Sequence, residues 1–137
     1  MDVRARYGFL MGLGGCFATS VATAQTAADS LPTGVTAAMV AAGKRLFLGE
    51  GLCLACHGPD GKGVIGPDLT DANWLRGTGD YSEIVSQILK GVDASESKSG
   101  QIMPPLGGSS LNDDQVRAVA AYVWWMSHRQ RKPGERP

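Results

Sequence analysis

The residues best suited to chemistry in this chain lie in one pentapeptide, Cys53-Leu54-Ala55-Cys56-His57. Two thiols at this spacing can each form a bond to one vinyl group of the same porphyrin, and the adjacent imidazole can then bind the iron. The pattern C-x-x-C-H is the attachment signature of c-type haem. The sequence therefore predicts one covalently bound haem c, held by Cys53 and Cys56, with His57 as an axial ligand of the iron.

Three other uses of these cysteines are weaker interpretations. A thioredoxin-like redox pair requires a βαβ surround, which the sequence does not predict. A structural zinc site requires about four ligands, and beyond residue 24 the chain has two cysteines and two histidines, with His128 far from the pentapeptide. A disulfide between Cys53 and Cys56 would close a very short loop and stabilise the fold little.

Met103 is the candidate for the second axial ligand. It lies in the segment Ile102-Met103-Pro104-Pro105-Leu106-Gly107-Gly108, which cannot form a helix because the prolines restrict the backbone on either side of Met103. Met39 and Met126 fall on apolar helix faces, where core packing is the simpler role, and filling a gap in the loop is the alternative role of Met103. His128 is a rival ligand, but its place after the last apolar helix face favours a solvated histidine at a helix C-terminus.

Residues 1–24 have the features of a secretory signal peptide. Basic residues precede a charge-free stretch from Tyr7 to Val21, and Ala22-Thr23-Ala24 forms a cleavage site with small residues. The apolar stretch contains four glycines and is shorter than the roughly 20 residues of a spanning helix, which disfavours an uncleaved anchor. We therefore expect export to the periplasm, with a lipid anchor at Cys16 as the alternative.

The composition describes one ordinary globular domain. Of the 137 residues, 43% are hydrophobic and 19% are charged, with 13 basic and 13 acidic side chains. Residues 25–127 carry seven basic and eleven acidic residues, which excludes the basic excess of a nucleic-acid-binding protein. Residues 128–137 form a basic tail that could contact an acidic partner or anionic lipid, or remain a solvated end.

The periodicity of the chain predicts an all-α fold. Residues 25–36 are typical of a flexible lead-in, and no alternating apolar run is long enough for a sheet. The chain has 19 glycines and 7 prolines, so we expect about four helices that alternate with Gly/Pro-rich loops. Such loops need an apolar core to pack against, and a haem would supply one. The expected helical segments are 37–49, a short turn over 70–74, 80–91 with Asp80 and Glu83 as a capping box, and one from Asn112 with Gln115 completing a second box.

Each helix has an expected buried face at helical spacing. Gly43 lies inside the first helix, where a glycine costs about 1 kcal/mol relative to alanine, so we expect another helix to approach closely there. The expected buried residues are Met39, Val40, Gly43, Leu46 and Phe47 in the first helix, Ile84, Val85, Ile88 and Leu89 in the third, and Val116, Val119, Ala120, Val123 and Met126 in the last.

With these residues in view, residues 39–127 resemble the class I cytochromes c. Gly43 and Phe47 fit the N-terminal helix of that family, and Tyr122 fits the C-terminal helix that crosses it at the glycine. The resemblance implies the cytochrome c fold over residues 37–127, wrapped around one covalently attached haem.

The resemblance also implies roles for individual residues. Gly66-Pro67-Asp68-Leu69 resembles the family segment whose proline carbonyl accepts a hydrogen bond from the proximal histidine, so Pro67 would orient the imidazole. The segment around Met103 corresponds to the distal ligand loop of the family. Trp74 and Arg76 would contact the haem propionates as a donor and a cation, although Trp74 could simply pack.

Within the family, the pattern is most similar to the haem domains of the c-type subunit of bacterial haem-copper oxidases. Those subunits usually carry two C-x-x-C-H motifs and a membrane anchor, whereas this sequence has one motif. The expected function is that of a one-electron carrier, a monomer without a stable membrane span, in transient complexes with a dehydrogenase, reductase or oxidase. His57 and Met103 would fill both axial positions, and the thioether would raise the reduction potential.

Two alternatives to a free carrier remain at this point. The first is a tethered electron-transfer subunit of a dehydrogenase or terminal oxidase. The second is an open-site haem peroxidase or gas sensor in which Met103 does not bind, although the sequence shows no distal acid-base pair for it.

Overall fold

The computed structural model describes residues 30–97 and 100–129 of the chain. The expected signal peptide with Cys16, and residues 130–137 of the basic tail, lie outside the described residues. Four α-helices are present in the described part, α1 Ala37–Leu48, α2 Leu54–His57, α3 Tyr81–Lys90 and α4 Asp113–His128, together with a 3-10 helix over Pro105–Gly108. In these residues no helix is both long and apolar enough to cross a membrane.

The all-α class is confirmed, and the expected turn over residues 70–74 is wrong. The Asp68 carboxylate accepts a hydrogen bond from the Thr70 backbone N–H at 2.7 Å, and the Asp71 carboxylate accepts one from the Asn73 N–H at 2.9 Å. These side chains offer the backbone an alternative to helical hydrogen bonds, so irregular turns form there. The fourth helix is instead α2, which lies in the pentapeptide itself.

The crossing of α1 and α4 at Gly43 is confirmed. Gly43 is buried, and a Cβ atom at this position would overlap the backbone carbonyl of Ala118 in α4. Beside it, the rings of Phe47 and Tyr122 meet edge to face, with centroids 5.5 Å apart and planes 71° apart. The two helices therefore approach to backbone contact, which only a residue without a side chain allows.

Helix α4 begins and packs as expected. The Asn112 side chain accepts a hydrogen bond from the Gln115 N–H at 3.0 Å, and the Gln115 side chain accepts one from the Asn112 N–H at 2.9 Å. This capping box satisfies two backbone donors that a helix start otherwise leaves unpaired. The expected face is buried in full: Val116, Val119, Ala120, Val123 and Met126.

The capping box expected for α3 is wrong, because Glu83 binds elsewhere. Its carboxylate accepts hydrogen bonds from the Thr78 backbone N–H at 2.7 Å and hydroxyl at 3.0 Å, while the Asp80 side chain makes no capping bond. The hydrogen bond from the Thr78 N–H is the main reason that the pKa of Glu83 is lowered. Ile84 and Ile88 are buried as expected, whereas Val85 is half-buried and Leu89 is 40% exposed.

One loop expectation needs correction, and the end of the lead-in has a contact of its own. Residues 102–108 are not wholly without helix, since Pro105–Gly108 forms a 3-10 helix kinked by positive φ angles at Leu106 and Gly107. In the lead-in, Val35 is buried, and its N–H donates to the Pro32 carbonyl at 2.9 Å. The described end of the lead-in therefore packs on the domain.

We expect Gly43→Ala to destabilise the protein by about 3 kcal/mol, at the upper end of overpacking costs, because the new Cβ must displace backbone rather than a flexible side chain. Alanine has a higher helix propensity than glycine, so propensity alone would make the variant more stable. A loss of stability therefore shows that packing outweighs propensity at this position. Denaturant unfolding of the purified protein measures the effect. The control is Ala41→Gly at an exposed position of α1, expected to cost about 1 kcal/mol; equal stability of Gly43→Ala and the parent protein would contradict the close crossing.

Candidate functional site

An open cavity lies between α2, α3, α4 and the loops that connect them, with ≈ 1320 Å³ of empty space, its mouth included. Its inner wall is apolar and is formed by Phe47, Ile84, Ile88, Val119 and Val123. The seven residues that the sequence favours for holding a haem line this cavity: Cys53, Cys56, His57, Pro67, Trp74, Arg76 and Met103. The fold therefore brings together residues that are up to 50 positions apart in the chain.

Helix α2 is a single turn that carries both thiols. Cys53 precedes it in helical conformation, Cys56 lies within it, and both are half-buried free cysteines. The Cys53 thiol donates to the Gly51 carbonyl at 3.3 Å. Burial, with a smaller contribution from Cys56, raises the pKa of Cys53 to about 11, so this sulfur is a protonated thiol at neutral pH.

His57 is buried at the end of α2, and one of its two ring nitrogens already has a hydrogen-bond partner. Its Nδ1 lies 2.9 Å from the Pro67 carbonyl oxygen. A carbonyl can only accept, so Nδ1 carries the proton and Nε2 keeps its lone pair, the form that binds a metal. Burial lowers the pKa of His57, against the opposing effect of the Pro67 hydrogen bond, and this keeps the ring neutral at pH 7.

The turn after α2 folds back over the imidazole. The Cys56 carbonyl accepts hydrogen bonds from the N–H groups of Val64, Ile65 and Gly66 at 3.0, 3.1 and 2.9 Å. A Cβ on Gly66 would lie 2.9 Å from Cε1 and 3.0 Å from Nδ1 of His57. Gly66 thus leaves room for the ring beside the backbone, a steric role that the sequence pattern did not reveal.

Met103 is held by the end of α3 as well as by its prolines. Its N–H donates to the Val92 carbonyl at 2.9 Å, and the Val92 N–H donates to the Met103 carbonyl at 2.8 Å. Gly91, which ends α3, lies so close to the Met103 carbonyl that a Cβ there would overlap it. The side chain of Met103 is half-buried on the cavity wall, and sequence reasoning missed the bridge to Val92 because it is not local.

Trp74 and Arg76 both line the cavity, but only Arg76 has a hydrogen-bond partner for its polar group. The indole Nε1 of Trp74 is buried without a hydrogen-bond partner, and its ring packs on Gly79, where a Cβ would overlap it. Arg76 donates from Nη1 to Glu96 at 2.8 Å and is exposed in part. Trp74 therefore offers an unused donor, whereas the Arg76 charge is already paired.

The other candidate ligands lie outside this cavity. His128 is half-buried rather than solvated as expected, because its ring stacks on Trp124 with centroids 3.8 Å apart. Its Nδ1 lies 2.8 Å from the Trp124 carbonyl. Met126 is fully buried in the core and Met39 is half-buried on α1. None of the three lines the cavity.

Comparison with known proteins shows the family of the chain. The family model described as Cytochrome c matches residues 40–127. In structure, the chain is similar to cytochrome CL from the marine methylotroph Methylophaga aminisulfidivorans, with a TM-score of 0.51 and 22% identity over 75% of this chain and 72% of that one. This likeness concerns the fold alone.

Three curated relatives give the sequence context. The cbb3-type cytochrome c oxidase subunit FixPc of Rhizobium leguminosarum bv. viciae is 38% identical over 60% of this chain and 29% of its own length. Subunit CcoP of Rhodobacter capsulatus is 36% identical over 63% and 29%, and the fructose dehydrogenase cytochrome subunit of Gluconobacter japonicus is 34% identical over 58% and 17%. The chain therefore spans less than a third of each of these relatives.

We expect Trp74→Phe to lower the unfolding free energy of the protein with its cavity filled by about 2 kcal/mol. This is the usual cost of losing a hydrogen bond to a charged acceptor. The buried indole N–H would then donate to an acceptor on the molecule that fills the cavity. Denaturant unfolding followed by absorption measures the change. Removing a donor that stays unpaired would instead stabilise the protein, so an unchanged or higher stability would contradict this role.

Proposed function

Since the chain belongs to the cytochrome c family, we propose that it is a one-electron carrier that holds a single haem c in the cavity. The observation that carries this proposal is the convergence of Cys53, Cys56, His57 and Met103 on one apolar cavity. Two thiols, an imidazole and a thioether are the groups that attach and ligate a c-type haem.

The residues on the wall suit this group in four respects. The two thiols are half-buried and not joined to each other. Hydrogen bonding to Pro67 leaves Nε2 of His57 as its basic nitrogen. The inner wall is aliphatic and aromatic, as a porphyrin face requires, and the unpartnered Trp74 N–H matches a propionate.

When bound, haem supplies a one-electron Fe(III)/Fe(II) couple. Cys53 and Cys56 would hold it through thioether bonds, each formed by addition of a thiol S–H across a vinyl group. Pro67 would keep His57 in the ligating tautomer, and the bridge to Val92 would hold Met103 in place in both oxidation states. His57 and Met103 would both bind the iron and would close it to dioxygen and peroxide, so we expect electron transfer and no enzymatic reaction.

We propose the periplasm as its location, on the strength of the signal-like residues 1–24, and transient complexes with redox proteins as its working state. A tethered electron-transfer subunit is the second candidate. The relatives named as subunits of an oxidase and of a dehydrogenase favour it. Mass spectrometry of the mature N-terminus separates the two, because a diacylglycerol on Cys16 would identify the tethered form and a start at Gln25 the free one.

Haem attachment is the direct test of the function. The full chain is produced in cells competent for haem attachment, and the purified protein is denatured before its absorption and mass are measured. We expect the haem to stay with the chain in the parent protein and to be lost on denaturation from Cys53→Ala/Cys56→Ala. A colourless, folded parent protein would overturn the proposal.

The role of Met103 has a separate spectroscopic test. We expect Met103→Ala to abolish the weak absorption at the near-infrared edge that an Fe(III)-thioether bond produces, and to lower the reduction potential, because the thioether raises it. Met39→Leu, a conservative change on α1 away from the cavity, serves as the control and should keep both properties. A Met103→Ala protein with an unchanged spectrum would favour the open-site alternative or another ligand.

A further inference from the structure

Glu83, the residue that leaves the expected capping box of α3, holds the loop that precedes this helix. Its Oε2 atom accepts hydrogen bonds from the Thr78 backbone N–H at 2.7 Å and from the Thr78 hydroxyl at 3.0 Å. The same oxygen lies so close to Gly77 that a Cβ atom there would overlap it. The carboxylate therefore fixes the loop of residues 77–80 against the first turn of α3.

This loop lies directly against the indole of Trp74. Gly79 is buried, and a Cβ atom on it would overlap the indole Nε1. That nitrogen is buried and has no hydrogen-bond partner among the described residues. Trp74 lines the cavity, whereas Glu83 does not. The position of the Gly79 backbone thus sets the position of the indole N–H at the cavity.

The loop needs a constraint from outside because of its own composition. Gly77 and Gly79 have φ angles of 66° and 81°, which glycine adopts readily, but glycine also has the most backbone freedom to lose. Two side chains of α3 supply the constraint. Glu83 binds Thr78, and Gln87, one helical turn later, donates from Nε2 to the Arg76 carbonyl at 3.3 Å.

The position of the indole matters because its N–H is a directional donor. A hydrogen bond weakens steeply as its angle departs from linear, and a buried donor that misses its acceptor loses the free energy of that bond. A displaced loop would let the Trp74 ring turn without removing it from the cavity wall. The contacts of Glu83 therefore bear on what Trp74 can donate to.

We propose that Glu83 is a positioning residue which, through Thr78 and Gly79, keeps the Trp74 N–H in place to donate to a haem propionate. This inference rests on the proposed function and adds to it a residue outside the cavity that tunes the haem. A propionate charge favours Fe(III) over Fe(II), because the oxidised iron carries one more positive charge. A donor on that propionate offsets part of the charge, so Glu83 raises the reduction potential through Trp74.

The direct charge of Glu83 would change the potential in the opposite direction. A carboxylate that acted on the iron only by its own charge would favour Fe(III), so its removal would raise the potential. A carboxylate that acts through the Trp74 donor lowers the potential when it is removed. The sign of the change in Glu83→Ala therefore separates positioning from charge.

The test uses the haem-loaded full chain and two measurements, the reduction potential and the ultraviolet resonance Raman bands of tryptophan that report indole hydrogen bonding. We expect Glu83→Ala to lower the equilibrium constant for reduction about threefold, which is about 30 mV for a one-electron couple. The Raman contribution that Trp74→Phe removes should shift in Glu83→Ala towards that of an unbonded N–H.

Two milder variants extend the test. Glu83→Gln loses the charge but keeps an oxygen that can accept from Thr78, so it should keep the indole band of the parent protein and should not lower the potential. Thr78→Ala removes one of the two hydrogen bonds to Glu83 and is a small change at an exposed position. It should shift both measurements in the same direction as Glu83→Ala but less, and it decides the question if Glu83→Ala does not fold.

Asp80→Asn is the matched control for charge. Asp80 is exposed, its side chain makes no capping bond and it does not line the cavity. The substitution removes one negative charge close to Glu83 in the chain, and it should neither lower the potential nor shift the indole band. In a Trp74→Phe background, Glu83→Ala should no longer lower the potential, because the donor on which it acts is gone.

Three results would overturn the positioning role: an unchanged or higher potential in Glu83→Ala, an unshifted indole band, or an equal fall in the Trp74→Phe background. A loss of unfolding free energy with both measurements unchanged would mean that Glu83 only stabilises the start of α3. These results leave the haem band in place, so they do not touch the proposed function. Absence of the haem band from the parent protein would overturn the proposed function instead, and the positioning role with it.

Discussion

The hydrogen bond from His57 Nδ1 to the Pro67 carbonyl, at 2.9 Å, joins the chemistry of this protein to its fold. Through this bond a loop ten residues away decides which ring nitrogen can bind a metal. The loop can reach the ring only because Gly66 has no side chain to displace it. Helix α2 brings the two thiols close to this imidazole. Cys53, just before the helix, and His57, at its end, are one helical turn apart.

The second ligand candidate depends on equally close backbone contacts. Gly91 ends α3 and lies against the Met103 carbonyl, and the two hydrogen bonds between Val92 and Met103 fix that segment. The helix end thus holds the loop in the way a strand partner would. Because this backbone is already fixed, only the side chain of Met103 would lose conformational entropy on binding a metal.

The parts of this fold that could be predicted from the sequence are those set by local or one-dimensional patterns. Local signatures mark the pentapeptide and the capping box at Asn112. A local signature also marks the helix crossing, because Gly43 is a glycine in the interior of a helix. The predicted capping box of Asp80 and Glu83 is wrong because Thr78, five residues before Glu83, competes for its carboxylate. The Val92 bridge and the unpartnered N–H of Trp74 arise from tertiary contacts that no spacing rule records.

The helix core and the cavity wall share five side chains. Phe47, Ile84, Ile88, Val119 and Val123 belong to the packed core and also line the cavity. Each has one side against other helices and one side towards the cavity, so a ligand there completes the packing of α1, α3 and α4 at once. Ligand binding to the folded state stabilises it by linkage. The haem proposed for this cavity would therefore also help to hold the helices together.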